Sequence, residues 1–288
     1  MQEQVSDKIS LSPKQIAGYI IIFLIGFLAV LPLLWLLDAS LRPKIEIFQV
    51  PPVIFQGHLV KAFSSYSWQS FIKAVDQFHA GIAFINSVLV TICGILLTLL
   101  VCSLCAYAFA FMRFPGRNVL FIGILATMML PTVTMVAPYY QVLRMIGLTN
   151  QLPGIIIPYA ASAFGVFLLR QYFVCLPNSL VEAAVIDGAS RIRIWWQLIL
   201  PLSKPALAAL AIIQFKFIWN DFMIPMIVLR DETLFTLPIK LQVMDSTNFN
   251  VPYDAIMATG FISAIIPIIF FLIFQRQFIE GLSGGVKG

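Results

Sequence analysis

Two small sets of polar residues interrupt an otherwise apolar chain. The first is Glu182-Ala183-Ala184 followed by Asp187 and Gly188. It offers two carboxylates and a glycine break beside small side chains. That is chemistry for pairing with basic groups on another protein, not for making or breaking bonds. The second is Gln214, Lys216, Trp219, Asn220 and Asp221, all inside an apolar run. A charge at mid-bilayer costs on the order of 2.5–3.5 kcal/mol on insertion scales, so such groups face a bundle interior or a wet cavity. Lys216 and Asp221 are five positions apart, about 140° around a helix, so each calls for a partner on another element. Neither set holds a nucleophile beside a base, and no metal-spaced His/Asp cluster accompanies them. Cys102 and Cys105 form a C-x-x-C, but a structural zinc site needs a second ligand pair. With Cys93 and Cys175 they read as small apolar packing residues. His58 and His79 have no companion ligands in the sequence. There is no G-x-x-x-x-G-K-[ST] and no Gly-Lys pair, so this chain cannot form a P-loop phosphate cradle. Any energy drawn from ATP must come from another polypeptide.

The elements that carry these residues follow from composition. Of 288 residues, 60% are hydrophobic and 11% charged, against roughly 25% charged in soluble domains. The net charge of +5 is scattered between apolar runs and not gathered into a nucleic-acid patch. A helix needs about 20 apolar residues to cross a bilayer. Six intervals qualify, at 16–37, 88–111, 119–142, 154–174, 205–228 and 255–274. They predict an all-α polytopic membrane protein with an N-terminal tail at 1–15 and a C-terminal tail at 275–288. The first interval is too long for a signal-peptide core and has no small-residue cleavage site before Asp38, so it reads as a retained anchor. Pro32, Pro131, Pro138 and Pro225 lie inside spans, where neighbouring helices satisfy the freed carbonyls.

Basic residues set the orientation. With the N-terminus cytoplasmic, the inside segments hold Lys8, Lys14, Arg113, Arg117, Arg170, Arg191, Arg193, Lys204, Arg276 and Lys287. The outside segments hold Arg42, Lys44, Lys61, Lys73, Arg144, Arg230 and Lys240, four of them in one long loop. The compact, acid-free Arg113–Arg117 turn is the cleanest marker. Both termini and the Glu182 loop are therefore expected in the cytoplasm. The long outer segment 38–87 carries Pro51-Pro52 and the aromatics Phe48, Phe55, Phe63, Tyr66, Trp68, Phe71 and Phe78. It suits either a docking face for an external partner or simple interfacial anchoring. Thr132 and Thr134 beside Pro131 suit either a flexing gate or ordinary packing.

The stretch 177–202 predicts an elbow. Pro177 stops what precedes it, and Ser179 with Glu182 three residues on is a capping-box pattern that starts a helix near Leu180. Gly188 can take the left-handed conformation that ends it. Ser190 can cap a second helix through Ile192, Trp195, Trp196 and Ile199, closed by Pro201. The first helix would present Ala183 and Ala184 to a partner's backbone.

Glu-Ala-Ala, Gly188 six residues after Glu182, and Leu198-Ile199-Leu200-Pro201 ending nineteen after it together resemble the coupling loop of permease subunits in ATP-binding-cassette (ABC) importers. Leu198 is the departure, since the family usually has Ile there. The resemblance runs through the spans and the long first outer loop to the ending Gly284-Gly285-Val286-Lys287-Gly288, which looks like the tail of the smaller, maltose-transporter-type sugar permease. It implies a type I importer permease fold in a bacterial inner membrane. It implies that the loop, through Glu182, Ala183, Ala184, Asp187, Gly188, Leu200 and Pro201, sits in a cleft on an ATPase subunit, with the tail reaching toward the same ATPase. It further implies a second permease subunit, a dimer of ATPases holding ATP and Mg, no cofactor in this chain, and an external solute-binding protein. Lys216, Trp219, Asn220 and Asp221 match a polar run near a sugar pathway; they would either line that route or contact the companion subunit. An ion-gradient-driven transporter is the competing class, with Asp221 as its carboxylate, but it leaves the Glu182 elbow unexplained.

Overall fold

The computed structural model describes residues 12–49, 66–246 and 251–283, and among these it is helical with no strand. Helix α1 (Pro13–Leu41) starts at a reciprocal cap. Ser12 Oγ accepts from the Gln15 N–H at 3.4 Å, and Gln15 Oε1 accepts from the Ser12 N–H at 2.9 Å. The short α2 (Lys44–Ile47) and α3 (Gln69–Asp76) lead to α4 (Ala80–Phe111). Then come α5 (Arg117–Thr127), α6 (Thr132–Met145), α7 (Leu152–Tyr159), α8 (Ala163–Val174) and α9 (Asn178–Ile186). A composite helix, α10 (Arg191–Leu202), precedes α11 (Lys204–Trp219), α12 (Met223–Val228), α13 (Leu237–Asp245) and α14 (Tyr253–Ser283).

Four helical stretches are long and apolar enough to cross a membrane: Pro13–Leu41, Ala80–Phe111, Leu152–Val174 and Tyr253–Gln275. The number rises to six if each of two bent pairs counts as one span. The bent pairs are α5 with α6 and α10 with α11. Two of the expected intervals are also broken, each for a local cause. The interval 119–142 is broken by 107° between α5 and α6. Pro131 stands as N-cap of α6; it has no N–H and turns the residue before it away from the helical region. The interval 205–228 is likewise two helices, parted at 220–222. Pro225 falls in the first turn of α12, where its missing N–H goes unneeded, so a restart just before it is favoured. Residues 80–87, expected in the outer segment, belong to α4 instead. Pro51, Pro52, Phe55, His58, Lys61, Phe63 and Gly284 to Gly288 lie outside the described residues.

The central α4 packs against α7, α8 and α11, and α1 lies along α14. Small residues allow the close approaches. A Cβ on Gly165 would come within 2.8 Å of Cys102 Sγ, and one on Gly154 within 2.0 Å of the Leu148 carbonyl oxygen. The second obstacle is backbone and cannot swing aside. Gly154→Ala is therefore expected to destabilise the protein by about 1–3 kcal/mol, the usual cost of overpacking. A lowered thermal unfolding midpoint in detergent checks this, and an unchanged midpoint would show that the 148–154 turn can shift. Cys102 is buried against the carbonyl oxygens of Ala160 and Ser162, as a packing cysteine should be. Among the described residues no group of three or more His, Cys, Asp or Glu is placed to hold a metal.

The segments between spans on the expected outer side are tied by ion pairs. Arg42, 3% exposed, reaches Asp38 through Nε and Nη2 at 2.8 and 2.9 Å, and the Tyr66 hydroxyl donates to Asp38. Burial, then the Asp38 carboxylate, pushes the Tyr66 pKa up to about 12. Lys73 pairs with Asp254 at 3.0 Å, joining α3 to α14, and Lys240 with Glu232 at 3.0 Å.

Candidate functional site

The elbow forms, with one change at its start. Pro177 (φ −60°, ψ 121°) is the N-cap of α9, without a side-chain hydrogen bond. The helix therefore begins at Asn178, Ser179 lies within its first turn, and the expected capping box between Ser179 and Glu182 is not made. The far end is the stronger signal. Gly188 has φ +77°, and its N–H reaches the Val185 carbonyl at 3.1 Å while the Ala189 N–H reaches the Ala184 carbonyl at 3.0 Å. These are the paired bonds of a Schellman ending. Ser190 Oγ then accepts from the Arg193 N–H at 3.3 Å and starts the second helix. That helix widens into a π turn at Trp195–Ile199, with the Leu200 N–H bonded back to the Trp195 carbonyl. Pro201 lacks an N–H, which is one reason the ladder changes phase just before it. The chain does not stop at Pro201; it continues to Leu202 and turns by 80° into α11.

One face of this elbow is sealed to the bundle. Val181, Ile194, Trp195 and Ile199 are buried among Phe109, Leu169 and Phe173. Burying each such side chain away from water contributes about 1.5–3 kcal/mol. The elbow is thus tied to the ends of α4 and α8. The opposite face is open: Ala183, Asp187 and Gly188 are exposed, Ala184 is half-buried, and Ile186 is 85% exposed at the tip. Glu182 is exposed as well, on the side turned toward the Arg113–Arg117 turn. Nothing lies within 4 Å of a Cβ built on Gly188. Leu200 is half-buried and Pro201 exposed.

The membrane cluster divides. Trp219 is 2% exposed, its Nε1–H donates to the Ser263 carbonyl at 3.0 Å, and its ring stacks on Phe215. That takes Trp219 off any open surface of this chain. Gln214 is also buried and donates to Ser162 Oγ at 2.9 Å. Asp221 is half-buried and fully engaged. One oxygen accepts from the Tyr159 hydroxyl at 2.6 Å, and the other caps α12 by accepting from the Met223 and Ile224 N–H groups at 3.0 and 3.4 Å. Its partner is on another helix, as the spacing required, and these contacts give a carboxylate a structural use. Lys216 and Asn220 remain on an exposed face, one turn apart, with Asn220 Nδ2 donating to the Lys216 carbonyl at 2.8 Å. Asn220 opens on a groove of about 450 Å³ with Phe222, Gln242, Asp245 and Ser263. An aromatic ring among amide, carboxylate and hydroxyl groups suits a polyhydroxylated solute. Gln242, Asp245 and Ser263 could not be picked from the sequence, because only the fold brings α13 and α14 to Asn220.

The chain matches the family described as binding-protein-dependent transport system inner membrane component over residues 21–283. It is 39% identical over 270 residues to the arabinooligosaccharides transport system permease protein AraQ of Halalkalibacterium halodurans, covering 92% of this chain and 93% of that protein. It is 33% identical over 269 residues to the sn-glycerol-3-phosphate transport system permease protein UgpE of Yersinia pestis, covering 93% and 95%. Its fold matches that in the crystal structure of a bacterial ABC transporter involved in the import of the acidic polysaccharide alginate. The TM-score there is 0.78 at 24% identity, with 96% of this chain and 99% of the other covered. A helical membrane chain with an exposed glycine-ended elbow, matched along nearly its whole length, belongs to the binding-protein-dependent inner-membrane permeases of ABC importers.

Proposed function

We propose that this chain is the smaller permease subunit of an ATP-driven carbohydrate importer, coupled to its motor through Glu182–Gly188. The observation that carries the coupling is the elbow's two-sided build: one face welded to the bundle core, the other exposed, with the bend fixed by the Gly188 ending and the Ser190 cap and free of obstruction at Gly188. A knob of this kind transmits a push to the spans without bending. ATP and Mg bind on partner ATPase subunits, whose closure moves the elbow and rocks the spans between inward- and outward-facing arrangements. A second permease completes the route, and an external binding protein delivers the solute. Both termini, the elbow and the Arg113–Arg117 turn face the cytoplasm. The names of the similar permeases favour a sugar or polyol derivative, and the Asn220 groove has the groups to bind hydroxyls.

The test is cross-linking in membrane vesicles of the assembled transporter. Ala183→Cys, on the exposed face, is expected to cross-link to an ATPase subunit carrying a cysteine in its docking cleft, in a nucleotide-dependent manner. An elbow that reacts only with water-soluble reagents while ATP-driven uptake continues would overturn the reading.

A further inference from the structure

The inner side of the elbow does not close fully against the span ends. A cavity of about 690 Å³ lies beneath α9, lined by Arg113, Arg117 and Arg191, with Glu182, Val181 and Phe111 among the other walls. Three guanidiniums face one carboxylate there, and among the described residues none of the three arginines forms an ion pair. Arg117 Nη1 donates to the Met112 carbonyl at 3.2 Å, which fixes the turn but neutralises nothing. Beside the cavity, α5 leaves Val119, Leu120 and Ile122 exposed at 74%, 57% and 64%. A cationic recess at the membrane boundary with an exposed apolar strip rising from its rim matches a molecule with an anionic head and hydrocarbon tails. Basic pockets of this kind between helices on the cytoplasmic side hold phosphate head groups, and arginine's planar fork suits phosphate oxygens.

We infer that this recess binds the phosphate head group of an anionic phospholipid, wedged between the Arg113–Arg117 turn and the coupling elbow. The bound head group fills space under α9 and bridges Arg113 and Arg117 to Arg191 on the elbow. It therefore stiffens the connection through which the motor pushes. The cytoplasmic placement of the recess rests on the orientation proposed above, but lipid retention in detergent does not, so the two can fail separately.

The experiment is native mass spectrometry of the whole purified transporter, wild type against the double variant R113Q/R117Q, with phosphatidylglycerol and phosphatidylcholine as competing lipids. Wild type is expected to retain phosphatidylglycerol preferentially. The double variant should retain it roughly thirtyfold less, from about 1 kcal/mol per basic group near the surface. R113K/R117K, which keeps the charge, should recover most of the retention and shows that the site survives substitution. Equal phosphatidylglycerol retention by wild type and R113Q/R117Q would overturn the proposal. So would displacement of the effect by millimolar inorganic phosphate, which would mark the recess as a site for a soluble anion. A recess occupied by an acidic segment of an ATPase subunit would show as retention independent of lipid and sensitive to ATPase removal, and would also overturn it.

Discussion

Gly188→Asp is expected to leave the protein inserted and assembled in the membrane while cutting ATP-driven uptake by thirtyfold or more. Within the chain the substitution is cheap. Gly188 sits at φ +77°, and a left-handed non-glycine residue costs roughly 1–2 kcal/mol, with Asp at the tolerant end. No atom lies within 4 Å of the new Cβ, so nothing in this chain is displaced. A fold stabilised by about 5–15 kcal/mol survives that. The open space that makes the change harmless locally is the space a docked ATPase would occupy. A side chain and a charge forced into such a contact cost 2 kcal/mol or more, which is where the thirtyfold comes from. The measurement is paired: uptake of a labelled sugar and ATP hydrolysis in the same vesicles. Hydrolysis without transport supports the lever, and normal transport in Gly188→Asp counts against it. Gly188→Asn separates strain from docking, because Asn accepts the left-handed conformation but still adds bulk.

Asp221→Ala is expected to destabilise the assembled protein by about 3 kcal/mol and to lower its yield. The carboxylate accepts from Tyr159, Met223 and Ile224. A hydrogen bond to a charged group contributes about 1.5–3 kcal/mol; the Tyr159 bond takes the low end of that range, and the two backbone bonds, one exposed and one long at 3.4 Å, add a similar amount between them. Loss of the carboxylate unpins the break between α11 and α12 and leaves the Tyr159 hydroxyl unpaired. Tyr159→Phe removes one of those bonds and should cost about half as much. The double variant should cost less than the sum, since both changes break one network. Thermal unfolding of all three in detergent provides the comparison. If Asp221→Ala keeps its wild-type unfolding midpoint and yet abolishes uptake, the carboxylate serves the pathway directly and the structural role is wrong.

Much of the architecture was legible because membrane spans write themselves in composition. Apolar length gives the span intervals, and the compact Arg113–Arg117 turn groups with the Glu182 loop on one side, as the shared cavity shows. Gly188 was legible because a glycine after two helical turns has one common use. The sequence was less informative where several causes compete within a few residues. Pro177 overrode the Ser179–Glu182 pattern because a proline N-cap starts the helix first. The α11–α12 break was hidden inside a continuous apolar run, although Pro225 was its trace. The Tyr159–Asp221 bond spans 62 residues and leaves no local mark, so it comes only from the fold. The same holds for the arginine recess, whose walls come from two turns far apart in sequence.

The four ion pairs among the described residues, Arg42 with Asp38 and Glu46, Lys73 with Asp254 and Lys240 with Glu232, all lie toward one rim of the bundle. At the opposite rim, Arg113, Arg117, Glu182 and Arg191 make none. The two rims are accordingly held by different forces, charge pairing at one and apolar burial of Val181, Ile194, Trp195 and Ile199 at the other. Salt, which screens charge and leaves apolar contact alone, acts on only one of them.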